Sequence, residues 1–290
     1  MLHRLLTWIF EPGFFSSQPV HTAVLVGGSV ALVSAVVGVF TVMRGQSFGG
    51  HALTDVSTAG GSGASLVGAD PAFGFVGLGV AGAAIMDLIG VQRLRGRDLA
   101  TGVVLGASIG LAALFLYFDT TTSATTGATQ RILFGSIFST TATTLPMVAG
   151  FGAAALAIMG LVYRPLLLSS VSSDIAAVRG VRVRMVGLLF MVALAIAVGL
   201  SAIAIGSILS TALLIGPAAA AMRVTRQLRW TLLGACLIAV LGTWLGVLLA
   251  YDSAYWNSSR QGLPVSFLIV SVLFLSYVGS GLVARRTRRS

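Results

Sequence analysis

Lysine is missing altogether: all 18 basic residues of this 290-residue chain are arginine. A Walker A phosphate loop needs its lysine to reach the phosphates, so ATP-driven work would require an ATPase on another chain. Cysteine occurs once, at Cys236 in an apolar run, which excludes a disulfide framework and a thiolate metal centre. Charge is scarce too, with 9% of residues charged against 56% hydrophobic. A soluble domain of this length needs far more charged surface. The start of the chain lacks a signal-peptide pattern, because Glu11, Pro12 and Gly13 interrupt a short apolar stretch and no small-residue cleavage site follows. The net charge of +10 does not indicate nucleic acid, since the arginines fall between hydrophobic runs rather than on one face.

What the sequence has instead is a series of long apolar runs. They identify an all-α integral membrane protein, a polytopic bundle of eight or nine transmembrane helices in the lipid bilayer of a cell membrane. Residues 1–21 are expected to form an N-terminal interfacial segment, short, aromatic and broken by Pro12. The transmembrane domain occupies 22–284 and a basic tail 285–290. Spans are expected near 22–43, 49–68, 72–91, 99–118, 144–168, 231–251 and 265–284, with the stretch 186–222 divided in two around 201–207. The RILFGSIF stretch, residues 131–138, is expected to lie along the membrane surface. With the tail in the cytoplasm and nine spans, Arg44, Arg93 to Arg97, Arg164, Arg179 to Arg184 and Arg223 to Arg229 share its side. Arg4, Arg131 and Arg260 alone fall outside. A re-entrant weak segment would reduce the count to eight.

The second span carries the stretch RGQSFGGHALTDVSTAGGSG, in which His51 and Asp55 stand four residues apart. On a helix they share a face, one turn of ~5.4 Å from each other. An ionised Asp at mid-bilayer costs at least ~2.5–3.5 kcal/mol, and a divalent cation offsets that by making ligands of both groups. A hydrogen-bonded pair locking two helices is the plainer alternative. Imidazole plus carboxylate suits Zn²⁺, Mn²⁺ or Fe²⁺, and the remaining ligands must come from water, carbonyls or a second subunit. Gly60, Gly61 and Gly63 allow a close helix approach or a break in the helix, and Gly216-Pro217 marks a packing kink or a gate. Asp87 is expected to pair with a nearby arginine. Between spans, residues 169–185 are too polar to cross, and Asp174 to Ala177 read as a short helix ending near Gly180, capped by Ser172 or Ser173.

Four stretches together resemble one family, the membrane permease subunits of ATP-binding-cassette importers for zinc, manganese and iron. They are RGQSFGGHALTDVSTAG, RGRDLATGVVLGASIGLA, LLLSSVSSDIAAVRGV and IGSILSTALLIGPAAAAMRV. The family's usual order is Asp first and His four residues later; here the two are exchanged, and the family's Leu-Pro-Gly proline is Ala59. The resemblance implies a transport subunit rather than an enzyme, with no permanently bound cofactor. Its expected partners are cytoplasmic ATPase subunits, an extracellular or periplasmic metal-binding protein and a second permease subunit, identical or not. It also implies that His51 and Asp55 hold the passing ion. Ser173, Asp174, Ile175, Ala176, Val178 and Gly180 would form the segment that docks on the ATPase, while Gly60, Gly216 and Pro217 would serve as gating or kink points. Two other readings fit the residues: a proton- or cation-coupled secondary transporter, and a non-conducting half of a heterodimer.

Overall fold

A computed structural model describes residues 17–89, 97–122, 127–135, 137–140, 144–256 and 262–287. In chain order the helices are α1 (Gln18–Met43), α2 (Ser47–Leu66), α3 (Pro71–Ile89), α4 (Arg97–Thr122), α5 (Ala128–Phe134), α6 (Thr144–Val171), α7 (Ser173–Val178), α8 (Val183–Ile205), α9 (Ser207–Val224), α10 (Leu228–Trp256) and α11 (Val265–Thr287). A single 3₁₀ turn, Ile137–Ser139, follows α5. No strand occurs among the described residues. Eight of these helices are long and apolar enough to cross a membrane: α1, α3, α4, α6, α8, α9, α10 and α11. The protein is therefore a multi-pass membrane protein.

α2 is the ninth long helix, and at 20 residues it spans ~30 Å. Its polar composition is tolerated because α3, α4 and α8 pack around it, burying nearly every residue from Gly49 to Ser62. The closest approach is at Gly60 and Gly74, where a methyl group on either residue would run into the other's carbonyl oxygen. Small residues here let two backbones touch, which replaces the hydrophobic drive that lipid removes.

Polar side chains tie the two ends of the bundle. At one end, Asp87 at the foot of α3 meets Arg184 at the start of α8 (Nε to Oδ2 3.3 Å), the pairing expected for Asp87. There Arg44 also joins α1 to α6, and Arg223 on α9 stacks over Tyr277 of α11 with its carbon 3.7 Å from the ring centre. At the other end, Ser65 of α2 reaches Asp119 of α4, and Ser266 of α11 donates to the Phe134 carbonyl. Deep between them Ser34 and Ser201 share a 2.7 Å bond across α1 and α8.

Two expectations change. α1 begins at Gln18, not Thr22, with Pro19 in its first turn where a missing N–H costs nothing, so the last residues assigned to the interfacial segment belong to a span. Residues 1–16, the arginines at 93 and 95, Arg260 and residues 288–290 lie outside the described residues. The described residues of the RILFGSIF stretch do more than lie along the surface: Ile132 and Ile137 are buried, and α5 and the 3₁₀ turn pack into the bundle. Their seat is a crossing of two glycines, Gly135 (φ 73°, ψ 173°) and Gly206 (φ 84°, ψ 158°), the latter the single residue between α8 and α9. That backbone region is essentially open to glycine alone. A β-carbon on Gly206 would also meet the backbone of Leu133, Phe134 and Gly135.

A candidate cation site on α2

The chain turns into α2 through a tight helix end. Gly45 (φ 62°) returns its N–H to Val42 at 3.0 Å, and Gln46 returns its own to Thr41 at 2.9 Å. The capping residue of that turn is Arg44, whose Nη1 donates to Ser169 Oγ (3.1 Å) and Ser170 Oγ (3.4 Å) in the last turn of α6. Its guanidinium carbon lies 5.3 Å from the Phe190 ring centre.

Beyond the turn, α2 presents one polar strip at helical spacing: Ser47, His51, Thr54, Asp55, Thr58, Ser62 and Ser65. Thr54, Thr58 and Ser62 each donate to the carbonyl four residues back, which satisfies their hydroxyls within the helix. His51 and Asp55 make no such bond. They face one another, Nε2 to Oδ2 4.0 Å, too far for a hydrogen bond, with side-chain exposures of 42% and 15%. Asp55 Oδ2 is buried without a hydrogen-bond partner.

The His51 ring is oriented from α9, where Thr211 Oγ1 lies 3.1 Å from Nδ1. The tautomer that donates Nδ1–H to Thr211 leaves a lone pair on Nε2. Two lone-pair atoms then look at each other across 4.0 Å, an arrangement suited to a cation. Ligand bonds of ~2.0–2.2 Å at tetrahedral or octahedral angles set the two atoms ~2.8–3.6 Å apart, so the pair closes by ~0.4–1.2 Å on binding. Among the described residues no third His, Cys, Asp or Glu joins them. Thr211 was invisible in the sequence, because 160 residues separate it from His51 and nothing in its own neighbourhood marks it. Replacing it with Val is expected to weaken cation binding ~10-fold while leaving the fold intact, as losses of orienting partners do elsewhere. Equilibrium binding of Mn²⁺ to the Thr211→Val chain checks this.

Residues 169–185 hold the expected short helix. Ser172 is the cap, its Oγ accepting from Ile175 N–H at 3.3 Å, and Asp174 sits in the first turn. The far end closes at Gly180 (φ 78°), with Gly180 N–H on Ala177 and Val181 N–H on Ala176. Ser173, Asp174, Ile175, Val178 and Gly180 are exposed. Ala176 is fully buried, so it seats the helix on the bundle rather than sharing an outward apolar face with Ile175 and Val178. The helix is packed against α6 and α8. Gly60 and Gly216-Pro217 lie inside unbroken helices: Gly60 is a contact point for α3, and Pro217 is buried in α9.

The sequence model of the ABC 3 transport family matches residues 16–279. The manganese transport system membrane protein MntC of Halalkalibacterium halodurans is 29% identical over 260 residues, which cover 90% of this chain and 85% of that protein. The manganese import system permease protein ScaB of Streptococcus parasanguinis is 27% identical over 243 residues, 84% of this chain and 85% of its own. Among solved structures, PsaBC from Streptococcus pneumoniae in complex with Fab shares the fold, with a TM-score of 0.77 at 23% identity over 97% of this chain and 95% of that one.

Proposed function

The chain belongs to the ABC 3 transport family, and from that premise we propose that it is the membrane permease subunit of an ATP-binding-cassette importer for a divalent transition metal. Manganese is the first candidate, since the two relatives above are named for it, and zinc and iron suit the same donor pair. The observation that carries the proposal is the 4.0 Å juxtaposition of His51 Nε2 and Asp55 Oδ2, a buried oxygen with no hydrogen-bond partner. Two ligands from one chain make a contact weak enough to release, as passage requires, and a second permease subunit, water and carbonyls complete the shell.

The positive-inside bias puts Arg44, Arg179, Arg184 and Arg223 in the cytoplasm, together with α7. There the exposed Ile175 and Val178 would insert into a groove on a separate ATPase chain, which performs the hydrolysis. A binding protein outside delivers the metal. Nucleotide-driven closure of the ATPases draws the α7 segments together and alternates the access of α2 to the two sides.

The experiment is uptake of radiolabelled Mn²⁺ into vesicles containing the permease with its ATPase. Uptake is expected only with both chains and with ATP. Uptake without any ATPase, following a proton gradient, would favour a secondary transporter. Ile175→Asp with Val178→Asp is expected to reduce ATP-dependent uptake at least ~10-fold, because charge enters an apolar contact, while Mn²⁺ binding to the purified permease stays unchanged. Loss of binding as well would show that α7 supports the fold rather than the docking.

A further inference from the structure

The strip on α2 does not end at Asp55. It continues through Thr58 and Ser62 to Ser65, fourteen residues from His51 and therefore just under four turns along the same face. Ser65 Oγ donates to Asp119 Oδ2 on α4 at 3.2 Å. Asp119 is only 1% exposed, and its other oxygen, Oδ1, is buried without a hydrogen-bond partner. A third group belongs to the same junction. Thr129 lies on α5, which packs on both α2 and α4, and its hydroxyl oxygen is likewise buried and partnerless. Ile132, one turn further along α5, shares a buried cluster with Leu116, one turn before Asp119. The seven residues of α5 therefore lie against the last turns of α4, which carry Asp119.

We propose that Asp119, Ser65 and Thr129 form a second cation site, built wholly of oxygen, at the outer end of the strip that carries His51 and Asp55. A carboxylate and two hydroxyls without a nitrogen or sulfur donor select a hard divalent cation of the Mn²⁺, Mg²⁺ or Ca²⁺ class. The site lies ~15 Å along α2 from Asp55, ten residues at 1.5 Å each. With manganese as the cargo, a point that rests on the transport reading above, it is the station at which an arriving ion exchanges water for protein oxygen. The ion then meets the imidazole further in.

The test uses the full-length permease in lipid nanodiscs and radiolabelled Mn²⁺ at equilibrium, with thermal unfolding as the control for folding. The chain carrying His51→Ala and Asp55→Ala is expected to retain one class of bound Mn²⁺. Adding Asp119→Asn is expected to weaken that class at least ~10-fold, and Ser65→Ala with Thr129→Val by several-fold with the carboxylate kept. Asn has the shape of a neutral carboxylic acid. If Asp119 is a protonated side chain with no ion to hold, Asp119→Asn leaves Mn²⁺ binding unchanged, and the site is overturned. It is also overturned if the His51 and Asp55 substitutions alone abolish all binding. Should Asp119→Asn fail to fold, the Ser65 and Thr129 pair decides the matter by the same criterion. If the His51 and Asp55 substitutions leave total binding unchanged while Asp119→Asn removes it, this site stands and the cargo role of the inner pair falls.

Discussion

Mn²⁺ uptake by the complex is expected to fall ~100-fold or more when His51 and Asp55 are both replaced by Ala, with the amount of folded permease unchanged. The size follows from what is removed. Loss of a group that merely orients a ligand costs ~10–100-fold in metal affinity, and here both proposed ligands themselves disappear. The fold should survive because the pair contributes little to the ties of the bundle: among the described residues His51 has a single side-chain hydrogen bond, to Thr211, and Asp55 Oδ2 has no hydrogen-bond partner. Removing a carboxylate whose Oδ2 is buried without a hydrogen-bond partner even relieves an unfavourable group. Each single variant should retain more uptake than the double, since one donor remains. Uptake at the wild-type level in the double variant would show that the ion takes another path, for instance through a partner subunit that holds the working pair. Exchanging the two residues, His51→Asp with Asp55→His, keeps both donors and should restore part of the uptake. Ring orientation by Thr211 would be lost, so restoration should be incomplete.

The second large effect is on folding. Gly206→Ala is expected to leave little or no folded protein. Its backbone region costs a residue with a β-carbon ~1–3 kcal/mol, and overpacking at a close crossing adds ~1–3 kcal/mol. Against a typical total of ~5–15 kcal/mol these together consume much of the margin. The clash is with backbone atoms of Leu133, Phe134 and Gly135, which cannot rotate away as a side chain would. Gly135→Ala meets the reverse face of the same crossing and should behave alike. A Gly150→Ala control, where a β-carbon meets nothing within 4 Å, should be neutral. Melting temperature in detergent with the yield of monodisperse protein measures all three, and a wild-type melt for Gly206→Ala would refute the account of this crossing.

Much of the fold was legible because a membrane imposes one-dimensional rules. Apolar runs of a helix's length became helices, the break expected around 201–207 fell at Gly206, and Ser172 capped the short helix that Asp174 announced. Asp87 found Arg184 because an isolated carboxylate near a cluster of arginines has few other options. The shared face of His51 and Asp55 followed from their spacing alone. What the sequence hid are pairings between distant residues: Thr211 on His51, Asp119 on Ser65, Arg44 on Ser169 and Ser170. A hydroxyl in an apolar run looks the same whether it bonds its own helix or a neighbour. Burial of Ile132 and Ile137 was hidden for a related reason, since an amphipathic piece beside a membrane has the same composition whether it floats or is wedged. Gly60 is a further instance, because glycine permits both a break and a contact, and only the position of Gly74 decides between them.

The guanidinium of Arg44 gives the bundle a tether. It caps the turn that begins α2, and it holds the last turn of α6, separated from α7 by Ser172 alone. A pull on α7 therefore has to stretch two hydroxyl bonds and a ring contact or drag the root of α2 with it. Since α2 is an unbroken rod of 20 residues, a tilt at its root swings the far end through a longer arc. The same short stroke would move His51 slightly and Ser65 much more, so the outermost grip on an ion would be the first to open.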